Sequence, residues 1–531
     1  MRFSRLAGAC ALASMVLGAG VLGTGIFPAA PARAQGSTLR VSLNTELQVL
    51  DPIVTTINSA RVFAYLVFDT LVGIDSQGKF HPQMLEGWEV TPDRLTWRFT
   101  LRDGLEFHDG TPVTAEDCVA SIRRWAKREA FGTAMMDSVR EVQVTGPKTF
   151  EFRMNRPFAF VIEALGRSGH QVPVIMPARL ANMDAAVAVP EVMGSGPYRF
   201  LRNEWRPGER ASFVRNPRYR PRAEAPDGLS GGKVARMERV ELISVTDQST
   251  RAAALQSGEL DYLEILPPDF VEPMRRDRRV VVGKPAGVDQ FLALLNVNHA
   301  APPFNDLKAR QALQAAVLQP EVMAAMGLPE DLVIPQCGSI YMCGWAGASE
   351  AGLQALQQAG TERARQLLRE SGYRGEPVVF LHAQTSALLN PIGLVVSDQM
   401  RRAGFNVDLQ SSDYATVAAK RLGRTGWAVA PIVNNGIDLV NPIANPLVAF
   451  NCTDNSPGWY CDPTMTDLLK RYAVAADPKE QKALADEIQA AMHRNVDYVL
   501  AGQFAGPPAW RADLKGVVPF SFPVFWGVER R

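Results

Sequence analysis

The stretch from Gly87 to Asp117 constrains this chain most. Leu95, Trp97, Phe99 and Leu101 alternate with Thr96, Arg98, Thr100 and Arg102, the period-two pattern of a strand with one buried face. Asp103-Gly104 and Asp109-Gly110 then supply turn residues. Thr114 stands as an N-cap with Asp117 three positions on, a capping-box arrangement. Beyond it Cys118, Val119, Ile122, Trp125 and Ala126 share one helical face, and Arg123, Arg124, Lys127 and Arg128 share the other. Phe107 to Arg128 therefore reads as strand, turn and helix.

The same alternation of elements continues through the chain. Leu39 to Leu43 reads as an opening strand, and 139–145 with 149–154 reads as a hairpin around Gly146-Pro147. Residues 250–256 form a short helix closed by Gly258, followed by a strand over 260–263. An apolar strand from Phe291 to Asn296 precedes the Pro302-Pro303 break and a helix from Asp306 to about Val317. Helix 361–370, strand 378–381, helix 391–403 and strand 405–409 complete a second set of units. This order predicts α/β layers with mixed sheets. Internal repeats and low-complexity segments are not evident.

The N-terminus predicts export. Arg2 and Arg5 precede a mostly small and apolar run from Leu6 to Phe27, and Ala32-Arg33-Ala34 forms a small-x-small cleavage site, the pattern of a secretory signal peptide over residues 1–34. Removing those residues takes three arginines and no acid, leaving 53 basic against 55 acidic side chains. That balance gives no reason to expect a nucleic-acid partner. Close to 500 residues exceed what one core usually serves, so at least two lobes are expected. In an oxidising compartment the close pairs Cys337 with Cys343 and Cys452 with Cys461 are disulfide candidates. Metal binding is the competing reading, but neither spacing is CxxC and neither pair has a histidine nearby. Cys118, within a predicted helix, is expected as a buried free thiol.

Three motif blocks carry a resemblance: Gly87-Trp88-Glu89-Val90 with the strand and turns through Asp117, then Gly194-Ser195-Gly196-Pro197-Tyr198-Arg199-Phe200, then Asn216-Pro217-Arg218-Tyr219. In that order they resemble the peptide/nickel/opine class, family 5, of extracytoplasmic solute-binding proteins that feed ABC importers. The resemblance implies an α/β, two-lobed periplasmic-binding-protein fold with mixed sheets, hinge strands between lobes and an extra subdomain in the first lobe. It places lobe I at 38–290 plus 503–531, with the subdomain at about 52–190, and lobe II at 291–502. It implies a monomeric periplasmic protein that captures a peptide or other small solute in the inter-lobe cleft and delivers it to inner-membrane ABC permease subunits. Relatives often carry a cystine near the ligand loop, which favours the pair Cys452 and Cys461.

Enzyme signatures do not assemble. GxSxG, HExxH and CxxC do not occur, and no cofactor or metal is expected. Gly231-Gly232-Lys233-Val234 superficially resembles a phosphate loop but has Asp227 at the first glycine position, and it reads as a surface turn. His108, between Phe107 and Asp109, reads as a satisfied turn residue. The glycines of Gly194-Ser195-Gly196-Pro197 read first as turn punctuation, and secondly, by resemblance, as a segment near the cleft.

The stretch from Gly426 to Cys452 is similar to the segment in which dipeptide binders place an Asp-Pro that pairs with the ligand's α-ammonium. In this chain that position falls on Asn441-Pro442, which removes the charge-assisted contact. Asp438 lies three residues earlier as an alternative carboxylate. Asn434, Asn435 and Asn441 offer paired donors and acceptors, with turn formation as the bland reading. Trp427 in the same segment, Asn44 after the first strand, and Asn296 and Asn298 on the hinge strand complete the expected ligand contacts.

Overall fold

The computed structural model describes residues 38–453 and 457–531. The expected signal peptide, residues 1–34, lies outside them. Two large mixed sheets organise the described chain. The first has seven strands in the order Val280–Val282, Ala509–Arg511, Tyr262–Leu263, Thr38–Ser42, Arg239–Ile243, Arg210–Arg215 and Tyr198–Phe200. Thr38–Ser42 runs parallel to both of its neighbours, and the remaining pairs are antiparallel. The second has six strands in the order Val333–Ile334, Tyr498–Phe504, Phe291–Val297, Val429–Asn435, Val378–Ala383 and Val407–Ser412. Residues 283–290 and 505–508 connect the two sheets, so the chain passes between the two lobes twice.

The strand read over Leu95 to Leu101 and the hairpin over 139–154 join Leu85–Val90 in a four-stranded antiparallel sheet, Leu85–Val90, Thr96–Leu101, Thr149–Met154 and Val139–Gly146, whereas the strand expected at Phe107 is replaced by turns with one isolated bridge between Glu106 and Pro112. Trp97, Phe99 and Leu101 point inward as their alternation requires, and Phe99 stacks on Phe150 at 5.0 Å between centroids. Helix Ala115–Ala126 buries Cys118, Ile122 and Trp125. Thr114 accepts from the Asp117 N–H, and Asp117 Oδ2 accepts the Thr114 N–H at 2.8 Å, a complete capping box. Cys118 is free and buried, and burial raises its thiol pKa.

The two glycine-rich motif blocks meet. His108 N–H donates to Gly194 O at 2.9 Å, and its Nε2 lies 3.2 Å from Gly196 O. Asn216 Nδ2 also donates to Gly196 O, at 3.0 Å. A Cβ on Gly194 would lie 2.0 Å from Val67 O, and one on Gly196 2.6 Å from Phe68 O. Both positions therefore need glycine for close backbone approach, and this satisfies the structural reading of the motif.

The segment Gly231-Gly232-Lys233 corrects the expectation of a surface turn. All three residues are buried, and Lys233 Nζ bonds Asp69 Oδ1 at 2.8 Å while lying over the rings of Tyr65 and Trp526. A lysine can be withdrawn from water when a carboxylate and aromatic faces replace its hydration.

Candidate functional site

Helix Asn58–Val67 places Arg61 in an otherwise apolar run, SARVFAYLV, with every residue after Asn58 buried. Its guanidinium lies over the Phe522 ring at 4.4 Å, and its Nε donates to Asn58 Oδ1 at 3.0 Å. Asn58 Nδ2 in turn donates to Glu264 Oε1, and the Asn44 N–H donates to Glu264 Oε2 at 2.6 Å. Across the lobes, the turn Gly436–Asp438 follows strand Val429–Asn435. Asp438 is 1 % exposed and meets an imidazole and two guanidinium groups: His170 Nε2 at 3.0 Å, Arg61 Nη1 at 3.5 Å and Arg167 Nη2 at 3.7 Å. Arg167 Nε lies 3.4 Å from Glu129 Oε1, and its Nη2 donates to Ala444 O at 3.3 Å.

The electrostatics follow from burial and pairing. Burial would raise the Asp438 carboxyl, but His170, Arg61 and Arg167 together hold it well below the usual carboxylate range. Burial pushes the Arg61 guanidinium down, with Asp438 and Glu264 opposing that shift. Burial raises both Glu264 and Glu129 against their hydrogen bonds.

Asn441 bridges the lobes in a different manner. Its Nδ2 donates to Glu163 Oε2 at 2.7 Å, while its Oδ1 accepts the Ile443 N–H at 2.9 Å and so also shapes the turn. Nearby, Ala159 N–H donates to Ala473 O at 2.9 Å and Phe160 stacks on Tyr472 at 5.0 Å. Asn434 and Asn435 lie partly exposed at the same end of the strand, opposite Leu292 and Phe291. Asn44 presents an exposed side chain, and only its backbone N–H reaches the cluster, through Glu264.

Asn296, Asn298 and Trp427 are not brought to this cluster. They lie at the opposite end of the antiparallel pair, where Val297 opposes Val429, whereas Phe291 opposes Asn435 at the Asp438 end. Six residues of strand at about 3.3 Å each put roughly 20 Å between the two ends. Their side chains are satisfied inside the second lobe. Asn296 bonds Pro457 O and Arg421, Asn298 bonds Trp427 O and Arg424 O, and Trp427 Nε1 donates to Gly423 O.

Both expected disulfides are present, Cys337–Cys343 and Cys452–Cys461. The first closes a loop that buttresses the turn bearing Asp438. Gln503 holds that loop through the Cys343 N–H at 2.8 Å and Cys343 O at 3.0 Å, and Asn445 Nδ2 donates to Ile340 O at 3.1 Å. A Cβ on Gly436 would meet Val288 O at 2.7 Å and Met342 Cγ at 2.9 Å, so loop and turn are packed tightly. Among the described residues no His, Cys, Asp and Glu cluster suits a metal ion, and no helix is long and apolar enough to cross a membrane.

Sequence reasoning missed Arg61, Asn58, Glu163, Arg167, His170 and Glu264. Only Arg61 left a readable sign, a lone charge within the apolar run from Ser59 to Val67.

Two mixed sheets joined by two crossings, with a buried charged contact between them, define a two-lobed solute-binding fold. Solved structures share it. The PBP AgaA in complex with agropinic acid, from A.tumefacien R10, superposes with a TM-score of 0.76 at 21% identity, covering 93% of this chain and 99% of its own. The ABC transporter-associated periplasmic binding protein DppA from Helicobacter pylori, in complex with the peptide STSA, gives 0.78 at 20% identity, covering 93% and 98%. The family described as bacterial extracellular solute-binding proteins, family 5 Middle, matches residues 79–454. The chain belongs to that family. It is also 33% identical, over 98% of both chains, to a probable peptide ABC transporter periplasmic-binding protein, y4tO, of Sinorhizobium fredii.

Proposed function

We propose that this chain is the periplasmic, non-catalytic solute-binding component of an ABC importer, capturing a peptide or other small organic solute between its lobes for inner-membrane permease subunits. The observation that carries this reading is the inter-lobe cluster itself. Asp438 of one lobe is buried against Arg61, Arg167 and His170 of the other, so a solute placed there touches both lobes at once. Ligand contact with both lobes favours the lobes-together state, and the connections at 283–290 and 505–508 absorb the rotation. Sheet membership supports a first lobe over 38–290 plus the C-terminal residues, with a subdomain at about 52–190, and a second lobe from 291, whose last strand, Tyr498–Phe504, moves the expected boundary at 502 on to the crossing at 505–508. We further propose cleavage of residues 1–34 on export and a monomeric mature chain.

The reading is tested on protein purified from its own periplasm. Native mass spectrometry should show a retained small solute, and small-angle scattering should show a smaller radius of gyration with that solute than after its removal. Steady chemical turnover of the solute would favour a hydrolase instead.

A further inference from the structure

We propose that Arg61, Arg167 and His170 form a seat for a carboxylate of the captured solute, a seat that Asp438 fills from the opposite lobe. The inference rests on the solute-binding reading above and names the class of solute: one carrying a free carboxylate rather than one held by its ammonium group.

Three features of the cluster carry it. The two guanidinium groups and the imidazole come from the first lobe, and the only carboxylate among the described residues that all three approach, Asp438, comes from the second. The first lobe's own acids are only partly engaged elsewhere, since Glu129 Oε1 also lies 3.4 Å from Arg167 Nε. Glu264 accepts from the Asn44 N–H and Asn58 Nδ2, and Glu129 Oε2 accepts from the Gly132 N–H at 2.9 Å. Arg61 Nη1 also donates to Ser168 O at 3.4 Å and its Nη2 to Asn58 Oδ1, contacts within the first lobe that do not depend on Asp438.

The second feature is distance. Arg61 and Arg167 stand 3.5 and 3.7 Å from Asp438, whereas a guanidinium that grips a carboxylate does so at about 2.7–2.9 Å. The seat is therefore slack around its present occupant and can tighten on a freely oriented carboxylate.

The third feature excludes the opposite class. An ammonium group brought to Asp438 would lie beside two guanidinium groups already within 3.7 Å of that carboxylate. Like charges at such separations repel strongly in a site withdrawn from water.

Chemical rescue tests the proposal whatever the native solute is. In the mature Asp438→Ala variant the seat loses its internal carboxylate. Sodium acetate should then raise the melting temperature saturably, above sodium chloride at equal ionic strength and beyond any acetate effect on the wild type. Methylammonium chloride should not, and Arg167→Gln in the same background should weaken the acetate response at least tenfold in midpoint. An equal response to methylammonium, or no acetate-specific shift, would overturn the seat. Should Asp438→Ala fail to fold, the wild type decides by calorimetry with trialanine, N-acetyl-trialanine and trialanine amide. Retained binding of the N-acetyl form with loss of the amide supports the seat. Loss of the N-acetyl form alone, or no binding by any of the three, counts against it. A retained periplasmic solute lacking a carboxylate would overturn this inference and leave the solute-binding reading intact.

Discussion

Arg61 and Asp438 meet across the two lobes at 3.5 Å, each almost completely withdrawn from solvent. Neither charge is tolerable in that place alone, since breaking a buried ion pair by removing one partner costs about 3–5 kcal/mol. A two-lobed protein has a cheaper response than unfolding, because parting the lobes returns the orphaned charge to water. If the lobes move as proposed, the pair acts on the equilibrium between lobe positions as well as on folding.

Asp438→Asn is accordingly expected to enlarge the radius of gyration, with a loss of thermal stability smaller than the full cost of an orphaned charge. The double variant Arg61→Met with Asp438→Asn should be more compact than Asp438→Asn alone. Small-angle scattering beside thermal melts reads both effects, and identical scattering profiles for all three proteins would refute the argument.

Asn441 leads to a prediction of the opposite sign from a simple restoration of the dipeptide-binder pattern. Asn441→Asp would set a second carboxylate 2.7 Å from Glu163, whose own carboxyl is already raised by burial. Two carboxylates at that distance must share a proton, so the pair's folded pKa rises above its unfolded value. Stability from such a pair is present at low pH and lost as pH rises through the folded pKa. The variant should match wild type near pH 4.5 and open or destabilise at pH 7.5, as followed by urea titration.

His108 supplies a pH dependence that can be isolated. Burial pushes its imidazole down to about 4, from an ordinary value near 6.5. The unfolded chain then binds a proton that the folded chain refuses, so this group's contribution to stability falls as pH drops from about 6.5 to about 4. The shift corresponds to roughly 3 kcal/mol over that window. His299, pushed by burial to about 3, acts in the same direction. Unfolding free energies of wild type and His108→Gln at several pH values should differ in slope by about one proton across the window, and parallel curves would sink the assignment.

Loss of the Cys337–Cys343 bridge should loosen the turn that carries Asp438. Loops this short contribute roughly 2–3 kcal/mol in the chain-entropy model. The Cys337→Ser, Cys343→Ser variant should lower the denaturation midpoint and expose Gln503 amide contacts to hydrogen exchange. Cys118 should stay unreactive to thiol reagents until global unfolding, since it is fully buried. Rapid labelling of one thiol in the native protein would contradict the described packing.

What the sequence determined by itself was local. The alternation of Leu95 to Leu101 set a strand, and Thr114 with Asp117 set a helix start. Gly258 and Gly404 closed their helices in the left-handed region, φ 85° and 103°. Each of these depends on residues within one or two turns of chain, so periodicity and capping suffice. The cystine pairs were also legible, because their partners are only 6 and 9 residues apart. The family was legible because its motif blocks punctuate backbone that the fold cannot change, as Gly194 and Gly196 show against Val67 and Phe68.

The candidate site was decided by tertiary structure. Asp438 stood out in sequence, but its three partners lie hundreds of residues away, and no local rule selects Arg61, Arg167 and His170 from the chain's other basic residues. Lys233 looked like a surface residue because its counter-charge, Asp69, is 164 residues distant. Asn296, Asn298 and Trp427 lie on or beside the same strand pair as Asn434 and Asn435 but at its other end, and only the antiparallel register of Phe291–Val297 with Val429–Asn435 shows which end meets the other lobe. Burial cost and charge pairing are properties of a place, and a place exists only once the chain has folded.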